Sequence, residues 1–326
     1  ALPFENEKLF NTYEMSFKKY NGRQGKRIPI TKGLIRSIKK IKPDVLISEG
    51  FFQWTPLVLL YSILTLTPLF IGYERTPHTE RNAKRIITWQ RKFFNLFIKG
   101  YLDNGKYLES IGIKSKKIHI GGMSADGKGL AEAVKNYNPQ NEDNEFIKSL
   151  LNIKQEKKGL IYLFSGQIHT PKGVPHLLLA WETHIKKNPK DQLVLIGKGE
   201  EYDYLKDKYA TYDSIHFLGF IAYQYVYKYY AIADVFILPT LQDNWSLVIP
   251  EAMACGLPVA TSIYNGCYSE LIKEDVNGTI FDPLKNDSML KALEYFHHHD
   301  LKAMGQASIE LEKPFNTENC AQREYD

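Results

Sequence analysis

The sequence predicts an α/β protein built from two doubly wound parallel sheets, and three observations predict it. At 326 residues the chain exceeds one ordinary core, which points to two domains. Helix-like and strand-like segments alternate nearly end to end, the order that parallel sheets with crossover helices require. The strand-like segments are short apolar runs, such as "DVLIS" (44–48) and "LFIGY" (69–73), and read as buried strands.

In chain order, "ITKGLIRSIKKIKP" (30–43) is an amphipathic helix ending at a proline, and strand 44–48 follows. The stretch "WTPLVLLYSILTLTPLFIGY" (54–73) has the length of a membrane span. Pro56 and Pro68 bracket a helix-sized piece within it, so it reads as helix 54–65 and strand 69–73. "KKIHIGG" (116–122) is a further strand. "NYNPQNEDNEFIKSLLNIKQEKKG" (136–159), polar and charged, is the linker candidate. A second series follows: strand 160–166, helix 173–187, strands 192–200 and 214–220, helix 223–232, strand 234–240, a helix near 247–255 and strand 258–262. Each half reads as a Rossmann-like domain, over 1–150 and 151–305, with 306–326 expected to cross back to the first. Residues 1–29 show no clear opening strand or glycine-rich turn, so that part of the first domain is expected to be missing.

Composition narrows the function classes. With 44% apolar and 24% charged residues and no low-complexity tract, the chain has a soluble globular composition. The net charge of +5 is too modest to indicate a nucleic-acid partner. The three cysteines, Cys255, Cys267 and Cys320, lack metal-ligand spacing and fit a reducing cytoplasmic compartment. "HHHD" (297–300) is no metal motif by itself, because consecutive helical side chains point in different directions.

The chemistry concentrates in "DNWSLVIPEAMACGLPV" (243–259). Ser246 is the expected N-cap of the helix that follows, and Pro250 is tolerated in a first turn. A helix N-terminus offers unpaired N–H groups and partial positive charge, so the amides near Ser246, Leu247 and Val248 suit a phosphate. Glu251, a turn further on, suits a vicinal diol such as a ribose, and Asp243 a hydroxylated group on the other side. Two carboxylates around an anion site suit a nucleotide sugar, although acids also occur at helix starts for dipole reasons alone. "FSGQIHTPKG" (164–173) adds Gly166, Gln167 and Lys172, a cation for a diphosphate. "LIGKGEE" (195–201) adds Gly197 and Gly199, and "NGCYSEL" (265–271) adds Gly266. All four loops fall at the carboxyl edge of the second sheet, where open α/β sheets bind ligands.

This ordered series, S-G…K-G, G-x-G, "FLGF…YYAIADVFILPT", D-x7-E and "NG…EL", resembles glycosyltransferase family 4. The resemblance is strong over 160–283 and looser over 30–126. It implies a GT-B fold, two Rossmann-like domains facing across a cleft, and a retaining, metal-independent enzyme without a cofactor. It also implies that Glu251 binds the donor ribose, Asp243 the donor sugar, and Lys172 with the 246–248 amides the diphosphate. Three positions depart from the family pattern: Asp243 stands for Glu, Gln167 for Arg, and Gly266-Cys267 for a Gly-Gly pair.

In the first half, "GYERTPHTERN" (72–82) gathers charged residues after a strand. The family places a donor-contacting His at this strand end, and either Glu74 or His78 inherits that place here. Segment 81–101 carries six cations and no acid, interleaved with Trp89, Phe93, Phe94 and Phe97. It reads either as a helix lying on an anionic membrane or as an ordinary helix burying an aromatic stripe. The reading is sugar transfer from a nucleoside-diphosphate sugar to a glycan or lipid-linked acceptor in bacterial polysaccharide synthesis. Its place would be the cytoplasm, with peripheral contact at the inner membrane face. The rivals are a catalytically silent relative acting as partner or scaffold, and a nucleotide-sugar epimerase, against which the D-x7-E motif speaks.

Overall fold

The computed structural model describes residues 33–50, 54–73, 76, 95–102, 106–119, 123–141, 144–156 and 159–325. The chain divides into two compact units, Ala1–Gly122 and Met123–Asp326. The description below numbers the described elements in chain order.

The first unit holds helix α1 (Leu34–Ile41), strand β1 (Leu46–Glu49), helix α2 (Thr55–Thr65), strands β2 (Leu69–Gly72) and β3 (Gly100–Leu102), helix α3 (Lys106–Ser110) and strand β4 (Ile118–His119). Its four strands run parallel in the order β1-β2-β3-β4. Segment 54–73 is a helix followed by a strand, as its prolines suggest. Pro56 sits in the first turn of α2, which ends at Leu66 in the left-handed region, and the Ser62 hydroxyl donates to Thr67 O at 2.6 Å. Leu69 and Ile71 of β2 are fully buried. No helix among the described residues is long and apolar enough to cross a membrane.

Two expectations change here. The segment read as a helix over 81–101 ends in a strand: Gly100 and Tyr101 belong to β3, and Tyr101 is buried with its hydroxyl donating to Asn95. Residues 95–97 are helical, and the chain then enters β3, whose pairing with β2 and β4 fixes Gly100 and Tyr101. Residues 81–94, and with them most of that segment, lie outside the described residues, as do Glu74 and His78. The strand expected over 116–122 is a 3-10 turn, Ser115–Lys117, and the short β4.

The second unit begins with helices α4 (Gly127–Asn136) and α5 (Glu145–Gln155). The region read as a linker therefore contains a helix. Asn144 caps it by accepting from the Phe146 and Ile147 amides at 3.0 and 3.3 Å. Ile147 and Leu150 of α5 and Leu130 of α4 join the core of the second unit. That packing puts the division at 122/123, whereas the charged composition of 136–159 suggested 150/151.

Next come strand β5 (Ile161–Ser165), helix α6 (Val174–Lys187), strand β6 (Gln192–Ile196), helix α7 (Tyr202–Lys208) and strand β7 (Ile215–Gly219). Helix α8 (Tyr223–Ile232), strand β8 (Val235–Leu238), helix α9 (Val248–Ala254), strand β9 (Val259–Ser262), helix α10 (Tyr268–Leu271) and strand β10 (Gly278–Phe281) follow. Helices α11 (Asn286–Tyr295), α12 (Leu301–Glu312) and α13 (Thr317–Tyr325) close the chain. Every residue of β6, β8 and β9 is buried, as a parallel sheet covered on both faces requires. The terminal segment makes contacts within this unit: Asn316 bridges Ala125, Lys128 Nζ meets Glu318 at 2.9 Å, and Cys320 Sγ donates to Met123 O at 3.4 Å.

The six strands are parallel in the order β10-β9-β8-β5-β6-β7. The chain runs outward through β5, β6 and β7, then returns to the other side of β5 for β8, β9 and β10. The strand order reverses between β5 and β8, and open α/β sheets bind ligands at the carboxyl ends of the strands beside such a switch point.

Candidate active site

The loops after β5 and β8 are stapled together at this switch point. A 3-10 turn, Thr170–Lys172, follows β5. Its Pro171 carbonyl accepts from the Leu241 amide (2.8 Å), the Gln242 amide (3.2 Å) and the Thr240 hydroxyl (2.9 Å). The turn exits through Gly173 at φ +69, where a Cβ would lie 2.0 Å from Pro239 O. Only glycine admits both that conformation and that approach. A third loop joins through Asp243, whose amide donates to Tyr264 O (3.3 Å) and whose carbonyl accepts from the Gly266 amide (3.1 Å).

These staples bring Lys172 and Asp243 together. Lys172 Nζ donates to Asp243 Oδ2, and both side chains are largely buried, at 21% and 15% exposure. The Ser246 hydroxyl donates to the same Asp243 oxygen at 2.5 Å. Ser246 is thus committed to Asp243 and is not the N-cap; that position falls to Leu247, which makes no side-chain cap bond. Among the described residues, the amides of Leu247 and Val248 have no hydrogen-bond acceptor. The Ser246 amide is turned to the sulfur of Cys267, whose thiol is pushed well above its ordinary range by burial first of all.

Glu251 lies on α9 in a separate, drier setting. Tyr223 Oη donates to its Oε1 at 3.2 Å and Tyr230 Oη to its Oε2 at 3.4 Å. Burial pushes its carboxyl up to about 7, the two tyrosine bonds oppose that rise, and the nearby Asp126 adds to it. Burial and the Glu251 charge hold both phenols well above their ordinary range, so both remain donors. Each carboxylate oxygen has a second lone pair, which leaves Glu251 able to accept from a diol as well.

Lys172 paired with Asp243, the unpaired Leu247 and Val248 amides, and Glu251 are thus all carried by the loops and helix that follow β5 and β8, and the two tyrosines bonded to Glu251 by α8. The chain's sequence over residues 145–310 matches the family model of the group 1 glycosyl transferases. The match covers half of the chain. The chain belongs to the group 1 glycosyl transferases.

Its relatives agree with that assignment. A glycosyltransferase of Methanocaldococcus jannaschii is 34% identical over 130 residues, covering 39% of this chain and 33% of that protein. The chain thus spans about a third of that relative. A Haemophilus influenzae glycosyltransferase is 27% identical over 297 residues, covering 89% of this chain and 77% of its own. Among solved structures, Anabaena HepE in complex with UDP superposes with a TM-score of 0.68 at 16% identity, over 89% of this chain and 80% of that one. The fold is accordingly GT-B: an α/β chain with parallel sheets in two domains.

In this group 1 chain the other sequence-singled residues fall as follows. The Gly166 amide donates to Ile196 O at 3.0 Å and the Ile168 amide to Lys198 O at 3.1 Å, so the β5 and β6 loops lie side by side. Gly197, at φ +129, would place a Cβ 1.8 Å from Gly166 O, and Gly199 one 2.2 Å from Ile168 O. Their first role is to let these two loops touch. Gln167 is exposed, Leu247 is exposed, and Cys267 points its side chain into the core. Sequence reasoning missed Tyr223 and Tyr230. Their i, i+7 spacing on α8 puts both on one helix face, a signal that was present without a target.

Proposed function

We propose that this chain is a retaining glycosyltransferase that moves a sugar from a nucleoside-diphosphate sugar to an acceptor hydroxyl. The observation that carries the reading is the assembly of Lys172, Asp243, Glu251 and the free Leu247 and Val248 amides at the switch point of a group 1 fold. The acceptor oxygen bonds to the anomeric carbon on the face from which the diphosphate departs. The glycosidic C–O bond to phosphate breaks, and the leaving phosphate takes the acceptor's proton. No separate general base is needed, and no metal, because Lys172 and the amides meet the developing charge. Lys172 has three donors and holds Asp243 and a phosphate oxygen together. Asp243 then orients the sugar, and Glu251 holds the ribose.

HepE, solved with UDP and with UDP and glucose, makes UDP the first nucleotide to try. The acceptor under this reading is a glycan or lipid-linked glycan of bacterial polysaccharide synthesis. Contact of the basic, aromatic stretch ahead of β3 with the inner face of the membrane belongs to the same reading.

The test is a thermal-shift screen of the chain against UDP, GDP, ADP and dTDP, each alone and as sugar conjugates. A ligand of the native state raises Tm with its occupancy. One nucleotide should give a clear shift that Glu251→Ala abolishes, and its sugar conjugate should be hydrolysed slowly unless Lys172→Ala is present. A shift without hydrolysis or transfer would favour the silent relative, with Gln167 in place of a fixed cation as the first cause to examine.

A further inference from the structure

A second side-chain cluster lies at the amino edge of the second sheet, opposite the candidate active site. Of the histidine run 297–299, His297 turns toward the protein, and its Nε2 lies 2.8 Å from Asp191 Oδ2. His184 Nε2 reaches the same oxygen, also at 2.8 Å. Each of the three residues offers one ligand atom, and these atoms lie within 4.8 Å of one another. They come from separate elements: His184 from the last turn of α6, Asp191 from the turn before β6, and His297 from the 3-10 turn Phe296–His298 after α11.

The far atoms of two of these groups are already held. Asp191 Oδ1 accepts from the Leu160 amide at 2.8 Å. His184 Nδ1 lies 3.4 Å from Glu294 Oε1 and 3.4 Å from Asn188 Nδ2, and Asn188 in turn donates to Glu294 at 3.0 Å. An imidazole backed by a carboxylate and a carboxylate backed by an amide form the outer shell that orients ligands around a metal. His184 and Asp191 are buried, while the His297 side chain is 23% exposed, which leaves an ion a way in and a water a fourth position.

We propose that His184, Asp191 and His297 form a structural site for a zinc-class divalent cation, tying α6, β6 and the turn after α11 together. Two imidazoles and a carboxylate suit zinc, and also cobalt or nickel. Metal bonds of about 2.0–2.2 Å set tetrahedral ligand atoms about 3.3 Å apart. The two 2.8 Å separations therefore open by about half an ångström as the ion replaces the hydrogen bonds. Each imidazole then presents its Nε2 lone pair and carries its proton on Nδ1, in His184 toward Glu294. The site does not depend on the proposed sugar transfer, because none of its residues belongs to the loops and helix at the switch point.

The full chain, free of any histidine tag and stripped with chelator, is titrated with zinc chloride by calorimetry and with cobalt chloride by visible absorption. His297→Gln and His298→Ala run alongside. His297→Gln keeps an N–H donor for Asp191 but has no metal-binding nitrogen, so it preserves a hydrogen-bonded clamp and deletes a ligand. The expected result is one ion per chain, a tetrahedral cobalt spectrum and a raised Tm. His297→Gln should weaken binding at least tenfold, and His298→Ala should leave it unchanged. If His297→Gln fails to fold by circular dichroism, Glu294→Gln keeps all three ligands and should weaken binding by about 10–100-fold through the outer shell. Absence of stoichiometric binding, or equal binding by the folded variant, would overturn the proposal and leave a hydrogen-bonded clamp only.

Discussion

Glu251 and Asp243 show how one short stretch yields two carboxylates with different work. Asp243 pairs with Lys172 and accepts from the Ser246 hydroxyl, whereas Glu251 is buried beside two phenols, and that burial pushes its carboxyl up to about 7. The unfolded chain releases that proton in the ordinary carboxylate range, near 4.5. Between those two values the folded state binds more protons, so stability falls as pH rises through the window and levels off above about 7. Glu251→Gln should flatten this fall in a pH series of melting temperatures. A ribose diol donates to the ionised form, so nucleotide affinity should climb with pH toward a plateau above that value. Tyr223→Phe removes a bond to the charged form and should move the midpoint upward by calorimetry. Lys172→Ala leaves Asp243 with Ser246 alone and should cost about 100-fold or more in transfer rate, a loss typical of a missing charge stabiliser. At this scale the residue types and spacing of D-x7-E were legible. The pairing of Lys172 with Asp243 was not, because 71 residues separate them and only the Pro171 staple brings them together.

Among the elements, β5 to β9 and helices α6, α8 and α9 were legible, as apolar runs or amphipathic stretches between turn residues, whereas α7, β10 and the helices from α10 onward carried no such clear signal. Other elements take their identity from their neighbours. Helix α5 sits in a polar, charged stretch, and its buried Ile147 and Leu150 make sense only against the second core. Strand β3 is three residues long and exists by pairing with β2 and β4. The glycines at the sheet edge also gain their reason here. Gly197→Ala would drive a Cβ into the Gly166 carbonyl and push apart the β5 and β6 loops. It should destabilise the chain by about 2–4 kcal/mol, seen as a Tm lower by several degrees, and weaken nucleotide binding in the same sample.

For the whole molecule, the reading places the nucleotide within the second unit alone. Hydrogen exchange with a bound nucleoside diphosphate should slow amides in 164–173, 196–201, 240–251 and 264–268, and leave β1 to β4 unchanged. Protection spread evenly over both sheets would contradict a site at the β5–β8 switch point. What the sequence by itself determined was the α/β class, the alternation of elements, and the group of loops that carries charge and glycine, because periodicity and turn chemistry are local. Only the tertiary structure decided the strand order, the division of the chain at 122/123, the tyrosines around Glu251 and the meeting of His184, Asp191 and His297. These depend on which distant segments share an edge of a sheet. Parallel pairing sets that through long crossovers, and no local pattern records it.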